Sequence, residues 1–281
     1  MSDCENCPSN GSCSTEEKSA CGFEALNEFS SIRCTIAVMS GKGGVGKSSI
    51  SVLLAHELAS RGLRVGILDA DITGPSIPKL MGIPAGSRCT QGASGIEPIT
   101  TKDGIKVISL NFFLEKEDDP VVWRGPILSG AVKQFWTDVF WGELDCLVID
   151  MPPGTGDVVL TVMQSLPLSG VVVISTPHEL SSMVVAKSVN MARMLNINVI
   201  GLIENMAYIK CPDCGREIRM FDETTLENYL AVHDLELLGS LPMLPEVAEM
   251  YKTGQAVLDG QSAEMLRGVG EKIETVMNKQ G

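Results

Sequence analysis

Gly41, Gly46, Lys47 and Ser48 stand at the spacing G-x-x-x-x-G-K-[ST]. That pattern is a phosphate cradle when a strand precedes it and a helix follows. Both flanks are present: residues 36–39 are an apolar run suited to a buried strand, and Ile50, Leu53, Leu54 and Leu58 recur at helical spacing. Glycines let backbone N–H groups approach phosphate oxygens, and a helix N-terminus adds the positive end of its dipole. In such a loop Lys47 neutralises the β- and γ-phosphates, and Ser48 presents its hydroxyl to Mg²⁺. The loop as a whole, with Lys42, Gly43, Gly44, Val45 and Ser49, is read as nucleotide-binding. The competing reading is a glycine-rich turn with no ligand, and Lys42 taken by itself is a solvated loop charge.

Acidic residues follow two apolar runs. Residues 63–69 lead into Asp69-Ala70-Asp71, and residues 144–150 end in Asp150. Carboxylates at the carboxyl ends of strands sit where an open α/β sheet binds ligands. Asp71 is the candidate for orienting or deprotonating the attacking water, and Asp69 for the Mg²⁺ shell; a turn or helix-capping role is the alternative for both. Asp150, delivered by a buried strand, is aimed at Mg²⁺ in the Walker-B manner. Residues 151–157, rich in glycine and proline and including Gly154, form a shaped loop able to sense a γ-phosphate. Asn205, just past an apolar strand, carries a donor and an acceptor for reading an adenine edge.

The nine cysteines are unevenly spread. Cys211 and Cys214 form a C-x-x-C, and two thiolates on a tight turn half-fill a four-thiolate site. A half zinc knuckle or a redox pair is the other reading. Cys4, Cys7, Cys13 and Cys21 lie in a polar segment that lacks apolar periodicity, so thiols there have no core to hide in. They are possible ligands for a metal or cluster, or incidental thiols. Cys34, Cys89 and Cys146 read as packed or incidental.

The elements that position these groups alternate between strand and helix, which gives an α/β fold with a mostly parallel sheet flanked by helices. Further strands are expected near residues 106–110, 171–176, 199–203 and 237–244, with helices over 127–141, 177–195 and 261–278; residues 81–101 read as loop. Residues 1–33 read as a flexible cysteine-containing tail, and residues 34–281 as one domain. The formal net charge of −13 argues against non-specific nucleic-acid binding. An apolar run of membrane-spanning length is missing, as is a signal-peptide pattern, so a cytoplasmic protein is expected. Disulfides are rare in that compartment, which leaves the cysteines as thiols or ligands.

The motifs together resemble a known family. GKGGVGKS at 41–48 is similar to the deviant P-loop of the MinD/ParA/nitrogenase iron-protein class, in which the early lysine acts across a nucleotide-sandwich dimer. With DADITGPSIPKLMG at 69–82, LVIDMPPGTGD at 147–157, STPHEL at 175–180, GLIENM at 201–206 and CPDC at 211–214, the chain resembles the Mrp/ApbC family over residues 30–260. These are ATP-dependent iron–sulfur cluster carriers. The resemblance implies a homodimer in which Lys42 acts in trans, Asp71 supports hydrolysis and Asn205 contacts adenine. It also implies that Cys211 and Cys214, with the same pair from a second subunit, hold a bridging [4Fe–4S] cluster destined for apo iron–sulfur proteins. Some members carry C-x₁₃-C-x₂-C-x₅-C near the amino terminus; here Cys4, Cys7 and Cys13 match only the last three positions.

Two other functions share this cradle. A positioning ATPase of the MinD/ParA type needs a basic surface or a membrane helix, and the last helix here has mixed charge with no Trp or Phe. An electron donor like the nitrogenase iron protein places its cluster cysteines elsewhere in the chain.

Overall fold

The computed structural model describes residues 22–279 apart from 73, 75, 115–124, 179–182, 222, 255–257 and 259. In chain order the elements are β1 (Ser31–Ile32), β2 (Thr35–Ser40), α1 (Lys47–Ser60), β3 (Val65–Asp69), α2 (Ile77–Leu80), β4 (Thr90–Gly92), β5 (Gly95–Glu97), β6 (Ile99–Thr100) and β7 (Lys106–Ile108). Then come α3 (Gly125–Thr137), β8 (Glu143–Leu144), β9 (Cys146–Asp150), α4 (Asp157–Ser165), β10 (Gly170–Ser175), α5 (Met183–Met194) and β11 (Val199–Glu204). The chain closes with β12 (Ile209–Lys210), β13 (Glu217–Ile218), α6 (Glu223–His233), β14 (Leu237–Ser240), α7 (Glu246–Thr253) and α8 (Gly260–Asn278).

Eight strands form the main sheet in the order β14-β11-β10-β2-β9-β3-β7-β6. Every pairing in it is parallel except β6 with β7. β2 lies between β10 and β9, so the chain runs outward from it in both directions. The crevice beyond the strand ends at such a reversal is where open α/β sheets take ligands. β2, β9 and β10 are buried along their whole length. That is why they read as unbroken apolar runs: helices cover both faces. One face packs Leu128 of α3, Val159 of α4 and Val189 of α5; the other packs Leu54 of α1, Leu266 and Ile273 of α8 and Met250 of α7.

Three regions depart from the expectations. Residues 81–101 are not simply a loop: β4 and β5 form an antiparallel hairpin, and the Ile96 N–H donates to the Asp138 carbonyl at 2.8 Å. These strands are too short to show an alternating pattern. The run 144–150 is split at Asp145, whose carboxylate leaves the sheet to take the Arg64 guanidinium at 3.0 Å. The segment read as the end of a flexible tail is packed from Glu24 onward. The Glu24 N–H donates to the Ser165 carbonyl at 2.8 Å, the Trp136 indole N–H donates to the Glu24 carbonyl at 3.0 Å, and β1 pairs with β8. Packing therefore begins well before residue 34.

The aromatics after α3 anchor one apolar layer. Trp141 is fully buried and its indole N–H donates to the Phe135 carbonyl at 3.0 Å. Gly66 of β3 makes room for it, since a Cβ there would lie 2.9 Å from Trp141 Cζ3. Trp141→Ala is expected to lower the unfolding free energy by about 3–5 kcal/mol. Urea unfolding followed by circular dichroism measures this, and a loss below about 1 kcal/mol contradicts the assigned packing.

Candidate functional site

The glycine loop joins β2 to α1 and is shaped by two close approaches. Gly46 precedes α1 with φ 82°, and a Cβ there would sit 2.3 Å from Asn205 Nδ2. Glycine alone suits both the left-handed backbone and that contact. The Asn205 amide donates from Nδ2 to the Val45 carbonyl at 2.9 Å, so the residue expected near adenine also braces the loop. Gly41 abuts α5, where a Cβ would meet the Val185 nitrogen at 2.8 Å. Gly154, with φ 82°, donates its N–H to the Ser40 carbonyl at 2.9 Å and docks the 151–156 segment against the loop.

A cavity of about 230 Å³ opens over this loop. The glycine loop from Lys42 to Ser49 lines one side, Asp71, Gly74 and Ser76 another, and Pro153 and Tyr251 add to the rim. Asp150 lies beneath, with no exposure to solvent. Its Oδ1 accepts from Lys47 Nζ at 2.9 Å and from the Ser51 hydroxyl at 2.7 Å, and its Oδ2 accepts from the Ser48 hydroxyl at 2.6 Å. A hydroxyl and a carboxylate side by side at the foot of a phosphate loop are hard oxygen donors, the set that suits Mg²⁺.

Asp69 is in register with Asp150 on the neighbouring strand and is equally buried. Burial, and then the negative charge of Asp150, push its carboxyl well above the usual carboxylate range; Lys47 works against them. Its oxygens are engaged inside the fold. Oδ2 accepts from the Ser109 hydroxyl at 3.0 Å and Oδ1 from the Asp71 N–H at 3.2 Å. Asp69 thus holds the backbone of the loop that places Asp71 at the cavity.

Cys211 and Cys214 stand apart from the cradle, at the tip of the β12–β13 hairpin. The Cys211 N–H donates to the Arg216 carbonyl, and Gly215, with φ 71°, donates back to the Cys211 carbonyl, both at 2.9 Å. This tight knuckle leaves Cys211 half-buried and Cys214 exposed. Among the described residues no group of three or more His, Cys, Asp or Glu side chains gathers into a metal nest. The described part of one chain therefore offers two thiols on one knuckle. Cys34 and Cys146 are buried at the other end of the sheet, and burial pushes the Cys89 thiol up to about 11. Cys4, Cys7, Cys13 and Cys21 lie outside the described residues.

Some participants were not singled out in the sequence. Ser51 follows Lys47 by one helical turn, so its contact with Asp150 had a signal in the spacing. Ser109 and Tyr251 had none, being brought in from β7 and α7 by the fold alone. His178, at the start of the helix expected over 177–195, packs edge-on against Phe221 with ring centres 6.0 Å apart, and that helix is described only from Met183.

The knuckle makes a prediction about thiol chemistry. The N–H groups of Cys214 and Asp213, then the Cys214 thiol, hold Cys211 below the ordinary thiol range. Lowering the pKa populates the thiolate at lower pH. In metal-free protein, the pH midpoint for alkylation of Cys211 by iodoacetamide should fall below about 8.5, the free-cysteine value. Cys34, Cys89 and Cys146 should react far more slowly. Peptide mass spectrometry after timed alkylation reads both, and a Cys211 midpoint at or above the free value contradicts the hydrogen bonding.

Comparison with known proteins shows the family. A ParA family model, described as NUBPL iron-transfer P-loop NTPase, matches residues 31–278. A protein of Clostridium perfringens named iron-sulfur cluster carrier protein is 43% identical over 267 residues, spanning 91% of this chain and 94% of its own length. One of Methanocaldococcus jannaschii with the same name is 43% identical over 275 residues, spanning 96% of this chain and 94% of its own. A nucleotide-binding protein from Archaeoglobus fulgidus, solved with ADP, is 42% identical with a TM-score of 0.71, over 80% of this chain and 88% of that one. The cell-division ATPase MinD of Pyrococcus furiosus shares the fold at 18% identity and a TM-score of 0.61, over 86% of this chain and 98% of that one. With a family model matched over nearly the whole chain and relatives above 40% identity end to end, this chain belongs to the NUBPL iron-transfer P-loop NTPase family.

Proposed function

We propose that the chain is an ATP-hydrolysing carrier that assembles a [4Fe–4S] cluster and passes it to apo iron–sulfur proteins. The observation that carries this reading is the pairing, in one chain of this family, of a phosphate cradle with a surface two-thiol knuckle that the described residues of one subunit leave half-filled. In the proposed ATP site, Lys47 neutralises the β- and γ-phosphates, while Ser48 and Asp150 hold Mg²⁺ with Asp69 behind them. Mg²⁺ supplies charge neutralisation at the phosphates. Asp71 orients the attacking water, Asn205 contacts the adenine beside the loop it braces, and Lys42 reaches the nucleotide of the partner subunit. Two copies of the Cys211–Cys214 knuckle, related by a two-fold axis, supply the four thiolates of one cluster. The protein acts as a homodimer in the cytoplasm, apart from nucleic acid and membranes; among the described residues no helix is long and apolar enough to cross one.

A second reading, a positioning ATPase, is favoured by the MinD-like fold. It gives the knuckle no task. Anaerobic purification separates the two readings. A carrier emerges with iron and sulfide and activates an apo-protein; a positioning ATPase emerges colourless.

Two predictions follow from the roles. Lys47→Ala should abolish nucleotide binding, whereas Lys42→Ala should keep ADP affinity and lose about 10³-fold in hydrolysis, the scale of a trans-acting cation. Isothermal titration and phosphate release measure these, and normal turnover by Lys42→Ala sinks the trans role. Cys211→Ser or Cys214→Ser should remove the cluster and its transfer while ADP affinity survives. Removal of residues 1–21, which spares the contacts made by Glu24 and the residues after it, should leave about four irons per dimer, as one [4Fe–4S] centre requires. Iron found only in protein that keeps those residues would refute the assignment.

A further inference from the structure

The segment between the nucleotide loop and the cysteine hairpin is short and held on every side. β11 ends at Glu204, and β12 begins at Ile209. Between them, the Asn205 N–H donates to the Ser175 carbonyl at 2.7 Å while its side chain holds the Val45 carbonyl of the glycine loop. Met206 takes a left-handed backbone, φ 56°, and its Cε lies 3.6 Å from where a Cβ on Gly46 would stand. A non-glycine residue keeps that conformation only where its surroundings over-determine it. The Ala207 N–H donates to the Leu241 carbonyl, and the Tyr208 carbonyl accepts from the Met243 N–H, both at 2.8 Å.

The hairpin beyond this root has two residue pairs, Ile209 with Ile218 and Lys210 with Glu217, all four exposed. A two-stranded ladder of that size is not stable alone. Its position is set by an aromatic clamp. The Arg219 guanidinium lies 4.9 Å from the centre of the buried Tyr208 ring. Arg219 also pairs with Glu217 at 3.3 Å. Root and return strand are thereby locked together, and Cys211 and Cys214 lie between them.

We propose that Tyr208 and Arg219 are positioning residues that couple the two sites. Through Asn205 and the rigid 205–208 root they make the geometry of the Cys211–Cys214 knuckle depend on what the Val45–Gly46 backbone binds. A displacement of that backbone by phosphate is passed to the root by the Asn205 amide, and the clamp transmits it to the hairpin. By linkage, a cluster on the knuckle changes nucleotide affinity by the same factor as nucleotide changes cluster affinity. This rests on the carrier reading above and adds the path between its two sites.

The test uses the full chain, reconstituted anaerobically with iron and sulfide. Iron release to a chromogenic chelator is timed with and without ADP, and the ratio of the two rates is the readout. The wild type should show a ratio departing from one by about 5-fold or more, the range of ordinary allosteric coupling. In Arg219→Ala, a change at a partly exposed side chain, iron content and ADP affinity should persist while the ratio collapses toward one. Arg219→Lys, which keeps the charge without the planar stack, should recover only part of it. Tyr208→Leu should behave as Arg219→Ala does. An unchanged ratio in Arg219→Ala overturns the proposal, as does a wild-type ratio of one or loss of iron from Arg219→Ala before any nucleotide is added. Absence of iron from reconstituted wild type instead sinks the carrier reading itself.

Discussion

A carboxylate removed from water on a central strand must find donors, and Asp150 has three: the Lys47 ammonium and the hydroxyls of Ser48 and Ser51. All three sit on the first turns of α1, so satisfying this one group fixes the helix against the strand and draws the glycine loop tight between them. Removing one partner of a buried charge pair typically costs about 3–5 kcal/mol, because the other charge is left unpaired. The same arrangement stocks the cavity floor with the cation and oxygens that phosphates and Mg²⁺ require. In the proposed ATP site, stability and function use the same atoms.

That constraint spreads outward through backbone rather than through side-chain charge. Met151 and Gly154 return N–H groups to the carbonyls of Val38 and Ser40, which pins the segment after β9 to the strand before the loop. On the other side Asn205 grips the Val45 carbonyl. The loop is thus held by the chain segments after β9 and β11, the two strands' carboxyl ends lying on either side of β2. Asp69 completes the ring from β3. Placed beside Asp150 in a dry interior, it is displaced toward the protonated form and directs its oxygens to Ser109 and the Asp71 backbone. Two neighbouring carboxyls take different tasks because their surroundings differ.

The thiol site obeys the opposite physics. The cradle is built into a core that both helical layers cover, whereas the knuckle stands on an exposed hairpin flanked by the exposed apolar side chains Ile209, Ile218, Met220 and Phe221. In the proposed carrier a cargo site has to be reached and vacated, and exposure permits both. Backbone donors favour the thiolate at Cys211, while Cys34, Cys89 and Cys146 are packed into the fold.

The sequence alone determined the cradle, the parallel sheet and the C-x-x-C, because each rests on local rules. Glycine spacing sets the loop, and doubly covered strands become apolar runs; Asp150 was legible since it terminates such a run. The short hairpin β4–β5 and helices α6 and α7 were not legible. Their strands are brief, and α7 runs only eight residues, too short for the spacing of Val247, Met250 and Tyr251 to announce it. Tyr251, Ser109 and the Tyr208–Arg219 clamp were decided by tertiary structure, because they depend on which distant segments meet. Residues 22–33 make the same point. Their composition reads as tail, yet Trp136, Ser165 and Gly142 offer hydrogen bonds that hold them in place. Local chemistry is written in the order of residues; partnership between remote residues is settled only when the sheet and its two helical layers close around them.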